Sequence, residues 1–245
     1  GRARHRTVRV RLLRPTPCRF GCIRLARRHS LSRTGCRLMG VLFSFEGIDG
    51  AGKTTQVALL KGALEARGHV VVCLREPGGT VLGEKIRGLL LDRSEDPPTP
   101  VAELLLFAAA RAQIVATRIR PALDTGAVVI LDRFADATFA YQGHGRGLPL
   151  ESILALEGIA AGIEPVRTWY LDLTPEESAR RRAARGEAAD RMESEGDAFR
   201  GRVREGYLER ARRHPERIAL IDAADSVEVI ASRILAQALS LLPGV

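Results

Sequence analysis

After residue 40, short apolar runs alternate along the chain with segments in which hydrophobic residues recur at helical spacing. Between short apolar runs, apolar residues recur at helical spacing, as Val57, Leu60 and Leu64 do after the first run. Strands that alternate with amphipathic helices predict an α/β fold, here a five-stranded parallel sheet with helices on both faces. The predicted strands are 41–46, 69–74, 127–131, 167–173 and 217–222.

The predicted helices follow from the same pattern and from the turn residues between its segments. No apolar run approaches the length that is needed to span a bilayer. In a parallel sheet, ligands bind beyond the carboxyl ends of the strands, so the loops after strands 41–46, 69–74 and 127–131 should surround one crevice. The helices are expected at about 54–67, 80–91, 100–120, 135–142 and 151–162. A further helix should begin at 174, another should end at about 213, and the last should follow 222.

The loop after the first strand carries the clearest chemical signal. Residues 47–54 fit the phosphate-binding pattern G-x-x-x-x-G-K-[ST], and they lie between a predicted strand and a predicted helix. Backbone N–H groups and the positive end of a helix meet there, as a polyphosphate requires. Only three of the 38 basic residues are lysines, and one of them is Lys53 inside this loop. We therefore expect ATP to bind at Gly47, Ile48, Asp49, Gly50, Ala51, Gly52, Lys53, Thr54 and Thr55.

The strand at 127–131 ends in a carboxylate and a guanidinium, Asp132 and Arg133. In phosphate-loop enzymes a carboxylate in this place helps to hold Mg²⁺ together with the hydroxyl at the position of Thr54. We expect Thr54 and Asp132 to be the metal site. Arg133 can hold a phosphate group, or it can form a structural ion pair.

The net charge of +9 is concentrated at the N-terminus. Residues 1–38 contain twelve Arg and no Asp or Glu, which leaves 26 basic against 29 acidic residues in 39–245. The basic segment is interpreted as translated sequence upstream of Met39, as an organelle transit peptide, or as an arm for nucleic acid or a membrane surface; the first is favoured. The predicted catalytic domain is 39–245. Its one cysteine, Cys73, indicates no disulfide framework, so a cytoplasmic location is expected.

Three motifs together resemble the thymidylate kinase family. They are the phosphate loop, the run 75–80 (R-E-P-G-G-T), and Asp132-Arg133-Phe134 followed by Tyr141-Gln142-Gly143. A fourth segment, 105–113 (L-L-F-A-A-A-R-A-Q), is similar to the helix that lines the base pocket in that family. The resemblance covers about residues 40–240. It implies a phosphate-loop nucleotide kinase fold, phosphorylation of dTMP by ATP with Mg²⁺, and a homodimer.

The resemblance also implies roles for individual residues around dTMP. Phe107 would stack on thymine, and Arg111 would meet a carbonyl oxygen of the ring. Tyr141 would crowd the 2′ position of the sugar and so favour deoxyribose. Asp49 would lie near the 3′-hydroxyl and the acceptor phosphate. The implied dTMP residues are Asp49, Arg75, Pro77, Phe107, Arg111, Arg133, Thr138, Tyr141 and Gln142.

The segment 180–193 resembles the mobile, Arg-rich lid of the same family. One class of these kinases has an arginine inside the phosphate loop, where this chain has Gly50. The cation that stabilises the transferring phosphoryl group would then come from the lid, as in the bacterial class. Arg185 is the first candidate, before Arg181 and Arg191. With Lys53, Arg133 and Asp49 it completes the predicted catalytic set.

Two other functions remain open at this point. A related phosphate-loop kinase could act on another nucleotide or on a deoxynucleoside. A nucleic-acid-binding NTPase could use residues 1–38 as its arm, although the acidic balance of 39–245 and the absence of aromatic stacking motifs in the arm count against it. We expect neither nucleic acid nor a membrane as a partner.

Overall fold

The computed structural model describes residues 40–184, 191–192 and 194–242. Within these residues five strands form one sheet in the order β2-β3-β1-β4-β5, and all neighbouring strands are parallel. The predicted α/β fold with a five-stranded parallel sheet is therefore confirmed. The strands are β1 (Val41–Glu46), β2 (Val71–Arg75), β3 (Val128–Asp132), β4 (Arg167–Asp172) and β5 (Ile218–Asp222).

Both faces of the sheet are covered by helices. On one face Trp169 of β4 packs against Phe43 and Phe45 of β1, with ring centroids 5.1 and 5.0 Å apart. On the other face Leu42 and Val129 belong to a second buried cluster. The helices are α1 (Lys53–Glu65), α2 (Val81–Leu91), α3 (Pro100–Ile114), α4 (Arg120–Asp124), α5 (Ala135–Thr138), α6 (Leu150–Ala160), α7 (Pro175–Ala183), α8 (Asp197–Arg213) and α9 (Val227–Leu241).

Two of the predicted helices differ from the structure in their form. The helix predicted at 100–120 runs on to Asp124, because a π-helical turn, Val115–Ile119, joins α3 to α4. The helix predicted at 135–142 is a short α5 that continues as a π-helix, Phe139–Gly145, through the glycine-rich stretch. The wider turn places Tyr141 and Gln142 differently from the α-helix that the sequence indicated.

The continuous helix Pro100–Asp124 corrects the expectation about apolar length. By length and composition alone it would be long and apolar enough to cross a membrane. The core helix of a globular protein can be equally long and apolar. Here the helix carries the buried charged residues Glu103 and Arg111, both of which are paired with other parts of the chain.

The register of the strands aligns the loops that hold the predicted site. Asp132 at the end of β3 lies opposite Phe45 of β1 and opposite Arg75 of β2. The loops after these three strands consequently leave the sheet at one edge, as the parallel arrangement predicted.

Candidate active site

The phosphate loop turns sharply between β1 and α1. Gly47 and Gly52 have φ angles of 142° and 93°, in the region that favours glycine. A Cβ atom on Gly47 would also lie 2.6 Å from the carbonyl oxygen of Leu171. The loop therefore needs glycine at position 47 for two reasons, its backbone angle and the close approach of β4. Because α1 begins at Lys53, the loop lies against the N-terminus of that helix.

Lys53 is held inside the loop. Its Nζ atom donates to the carbonyl oxygens of Gly47 and Ile48, at 3.0 and 3.2 Å. It lies 3.9 Å from the carboxylate of Asp49. Burial, and next the charge of Arg133, lower the pKa of Lys53, while neighbouring carboxylates oppose this shift. The ammonium group is thus desolvated and positioned before any phosphate arrives.

Asp49 joins the phosphate loop to Arg133. The Nη2 atom of Arg133 donates to Asp49 Oδ1 at 2.6 Å. Burial raises the pKa of Asp49, but Arg133 and Lys53 outweigh it and bring the value to about 2. Arg182 of α7 is close enough to contribute to the same lowering. Asp49 is therefore a carboxylate at neutral pH, with cations on several sides.

Arg133 has an unusual backbone for a residue other than glycine, with φ at 69°. Its guanidinium lies 5.1 Å from the ring centroid of Tyr141 and donates to the hydroxyl of Tyr207 at 3.3 Å. The hydroxyl of Tyr207 donates in turn to the buried Glu46 at 2.7 Å. These contacts fix the guanidinium at the edge of the sheet where the loop begins.

Thr54 and Asp132 lie together as predicted from the sequence. The hydroxyl of Thr54 donates to Asp132 Oδ2 at 3.0 Å. The pair joins the first turn of α1 to the end of β3. No cluster of three or more His, Cys, Asp or Glu that could hold a metal ion occurs in the described part of the chain.

A cavity beside the phosphate loop gathers most of the predicted dTMP residues. It is closed on further sides by residues that were not among those predicted to bind dTMP: Glu76, Arg87, Leu91, Ala137 and Met192. Eight of the nine predicted residues line it, namely Asp49, Pro77, Phe107, Arg111, Arg133, Thr138, Tyr141 and Gln142.

Arg75 is the predicted residue that does not line this cavity. Its side chain is largely exposed and donates to Glu84 at 3.0 Å. Arg87 lines the cavity instead, and its Nη1 donates to the carbonyl oxygen of Pro77 at 3.1 Å. Helical spacing could have found Arg87, because it lies one turn before Leu91 on the face of α2 that borders the cavity.

Arg111 is fully buried in the wall of the cavity, 1% exposed. Its guanidinium donates to Glu76 at 2.7 Å, to the hydroxyl of Thr138 at 2.8 Å, and to Glu157 of α6. Burial lowers the pKa of Arg111, but the carboxylates of Glu76 and Glu157 outweigh it and raise the value above the ordinary one. Burial also raises the pKa of Glu76 to about 7, against the opposing effect of Arg111.

Gln142 occupies another part of the wall. Its Nε2 atom donates to Glu103 at 2.8 Å. Glu103 is fully buried and also binds Arg146 and Arg191, the latter at 2.6 Å. Sequence reasoning missed Glu103, since nothing in the local pattern indicates that a helical glutamate is buried.

The predicted lid arginines are only partly described. Arg185 lies outside the described residues. Arg181 donates to the carbonyl oxygens of Gly50 and Ala223, at 3.4 and 2.9 Å, and so lies over the phosphate loop. Arg191 contacts Leu90 and Glu103, on the side of the cavity that gathers the predicted dTMP residues.

A wider cavity elsewhere in the fold has a different lining. It is lined by charged groups that pair with one another, including His144 and Arg213 with Glu209, and Arg210 with Asp136. None of the residues that the sequence predicted for ATP, dTMP or metal lines it. The candidate site is therefore the smaller cavity and the phosphate loop beside it.

Comparison with known proteins agrees with this geometry. The family model described as thymidylate kinase matches residues 45–234. The thymidylate kinase of Caldanaerobacter subterraneus is 50% identical over 191 residues, which are 78% of this chain and 90% of the relative. That of Chlorobaculum tepidum is 51% identical over 204 residues, 80% of this chain and 95% of the relative. The crystal structure of thymidylate kinase from Ehrlichia chaffeensis superposes with a TM-score of 0.66 at 32% identity, covering 83% of this chain and 99% of that one. The chain belongs to the thymidylate kinase family and phosphorylates dTMP to dTDP with ATP.

Proposed function

We propose that ATP binds the phosphate loop, that dTMP fills the adjoining cavity, and that Lys53, Asp49 and Arg133 align the two for direct phosphoryl transfer. One observation carries this assignment. Asp49 belongs to the phosphate loop and lines the cavity, and it contacts Lys53 on one side and Arg133 on the other. The product, dTDP, is a precursor of dTTP.

The chemistry needs charge stabilisation and alignment more than proton transfer. The acceptor phosphate of dTMP is already an anion, so no strong base is required. Lys53 neutralises charge on the outer phosphates of ATP, and Arg133 holds the acceptor phosphate. Asp49 contacts both cations and so fixes their positions relative to each other. Residues 47–55 supply the backbone N–H groups that surround the phosphates.

We infer that Mg²⁺ is held by Thr54 and Asp132. A hydroxyl and a carboxylate whose oxygens lie 3.0 Å apart, at the first turn of α1, suit this ion. Mg²⁺ takes one or two protein oxygens and completes its octahedron with water and substrate phosphates. When bound, it neutralises charge on the β- and γ-phosphates.

The cavity suits a deoxynucleotide with an apolar base. Phe107 offers an aromatic face for thymine, and Arg111, Thr138 and Gln142 offer polar groups for its edge. Tyr141 crowds the 2′ position of the sugar and Pro77 shapes the wall. Arg75 would have to leave Glu84 to reach the acceptor phosphate, and Arg87, which lines the cavity, is the nearer cation for it.

The cation that stabilises the transferring phosphoryl group would come from the Arg-rich segment after α7. Arg185 remains the first candidate. Arg181 is placed over Gly50 and next to Ala223, which favours a role at the ATP side of the loop. Arg191 is engaged with Glu103, away from the phosphate loop, which favours a structural role.

Further features of the protein are also proposals, of which the homodimer comes from the family resemblance. The enzyme acts in the cytoplasm as a homodimer. The kinase domain is 39–245, and residues 1–38 are dispensable for catalysis. Neither nucleic acid nor a membrane is a partner.

The decisive experiment measures ADP release with ATP and Mg²⁺ by the full chain and by residues 39–245. The acceptors are dTMP, dUMP, UMP, dCMP, dGMP and thymidine. A strong preference for dTMP, equal in both proteins, is expected. Preference for another acceptor would refute the assignment of the cavity, and loss of activity in 39–245 would refute the proposed domain boundary.

A further inference from the structure

The hydrogen bonds of Glu103 determine which way the amide of Gln142 faces. Oε1 of Glu103 accepts from Gln142 Nε2 at 2.8 Å and from Arg146 Nε at 3.2 Å. Oε2 accepts from Arg146 Nη2 at 3.1 Å and from Arg191 Nη2 at 2.6 Å. Each oxygen thus receives two donors, which uses the full acceptor capacity of a carboxylate.

This environment keeps Glu103 ionised although it is fully buried. Burial by itself raises the pKa of Glu103, but the hydrogen bonds from Arg146, Gln142 and Arg191 outweigh it and lower the pKa below its ordinary value. An ionised carboxylate accepts hydrogen bonds and donates none. Gln142 therefore has to present its NH₂ group to Glu103, and a flipped amide would set two acceptors against each other.

The other end of the same amide is left for a ligand. Gln142 lines the proposed dTMP cavity. No donor to its Oε1 occurs among the described residues, whose hydrogen bonds to this side chain are limited to the one with Glu103. The cavity also contains Arg111 and Thr138, and the hydroxyl of Thr138 already accepts from Arg111, so its own proton is available.

The wall of the cavity therefore offers one hydrogen-bond acceptor, Gln142 Oε1, beside the donors of Arg111 and Thr138. Thymine and uracil present the complementary edge, a donor at N3–H between two carbonyl acceptors. Cytosine presents an acceptor at N3 and a donor at N4. An acceptor fixed at Gln142 would therefore accept N3–H from thymine and would face the unprotonated N3 of cytosine.

We propose that Glu103 is the positioning residue that sets base specificity, by holding the Gln142 amide with its oxygen towards N3–H of the base. The inference rests on the proposed dTMP cavity. Glu103 acts through Gln142 and does not touch the substrate. Arg146 and Arg191 keep Glu103 ionised, so it can only accept a hydrogen bond from the NH₂ group of Gln142.

The test is the ratio of kcat/KM for dTMP to that for dCMP in E103Q. In this variant Arg146 and Arg191 still donate hydrogen bonds, so they bind the oxygen of the new amide. The NH₂ group of the new amide then faces Gln142. The Gln142 amide then reverses. We expect the ratio to fall at least about tenfold, through a higher KM for dTMP and better use of dCMP, with the KM for ATP unchanged.

The matched control is R146K, which weakens the same cluster but leaves Glu103 ionised. It should lower stability and keep the ratio within about twofold of the wild type. An unchanged ratio in E103Q, with wild-type preference for dTMP intact, would overturn the role of Glu103 and leave the proposed function standing. A wild-type enzyme that does not prefer dTMP would overturn both.

A second measurement does not depend on the folding of a variant. The wild-type enzyme is assayed with the N3-methyl derivative of dTMP, which lacks N3–H. Rejection of this compound is expected, since Gln142 Oε1 would lose its donor. Turnover equal to that of dTMP would overturn the proposal.

Discussion

Arg111 forms buried ion pairs and has a proposed role in recognition of the base, and substitution of this residue separates the two roles. In R111M the carboxylates of Glu76 and Glu157 lose their counter-ion, although their side chains are only 3% and 7% exposed. Removal of one partner from a buried ion pair costs about 3–5 kcal/mol. We expect R111M to lower the free energy of unfolding by about that amount at pH 8.

The loss should depend on pH in a defined direction. Burial already raises the pKa of Glu76 to about 7, against the ordinary value of 4.5. A group whose pKa is raised by folding contributes stability below its unfolded pKa and loses it as pH rises through the folded one. Without Arg111 the pKa of Glu76 rises further. The difference in stability between R111M and the wild type should therefore be smaller at pH 5 than at pH 8.

The triple variant R111M/E76Q/E157Q tells the two roles apart. Neutral side chains of nearly the same volume remove the unpaired charges, so most of the lost stability should return. Its KM for dTMP should stay at least about tenfold above the wild type, because the donor for the base is absent. Urea unfolding at pH 5 and pH 8 and steady-state kinetics test both statements. Unfolding of R111M like the wild type at pH 8 would refute the structural role of Arg111, and a wild-type KM for dTMP in the triple variant would refute its role in recognition.

Three further substitutions test the phosphate side of the site. K53A should lower kcat at least about a hundredfold while dTMP binding, measured by calorimetry, stays close to the wild type, since the hydrogen bonds of Lys53 go to carbonyl oxygens of the phosphate loop; loss of folding instead would contradict its assigned role. T54A should raise the Mg²⁺ concentration for half-maximal activity about tenfold, because Asp132 loses its partner, and an unchanged Mg²⁺ dependence would remove Thr54 from the metal site. Burial raises the pKa of Glu46 to about 7, so its contribution to stability is lost between pH 4.5 and 7. Urea unfolding of E46Q should lack that part of the pH dependence, and an identical profile would show that another group causes it.

The parts of this molecule that could be predicted from the sequence are those that depend on local order. Strand β1 and helix α1 follow from apolar periodicity, and the phosphate loop follows from its glycines and Lys53. The contact of Thr54 with Asp132 also follows, since parallel strands bring their carboxyl ends to one edge. The places of Phe107 and Tyr141 were taken from the family resemblance, because their spacing alone fits core packing equally well.

The carboxylates behind the cavity wall could not be predicted in this way. Glu76, Glu103 and Glu157 stand in segments where a glutamate is ordinarily exposed. Glu76 and Glu157 meet Arg111 across 35 and 46 positions of sequence, and Glu103 meets Gln142 across 39. Only the packed fold brings these groups together, and no local sequence pattern encodes their contacts.

On the proposed assignment of the cavity to dTMP, these buried carboxylates give it a way to discriminate between bases. Arg111 donates to Glu76, Glu157, Thr138 and the carbonyl oxygen of Phe134, which leaves one of its five N–H groups for a ligand. Gln142 donates to Glu103, which leaves its oxygen for a ligand. A side chain fixed in this manner does not turn to suit the wrong base, so a mismatched edge leaves polar groups unpaired. The proposal therefore attributes stability and selectivity to the same ion pairs. The cost of burying Glu103 as a carboxylate is offset by Arg146 and Arg191, since the planar fork of an arginine can serve two oxygens at once as a lysine cannot. For Glu76, Arg111 offsets only part of that cost, and its pKa stays raised.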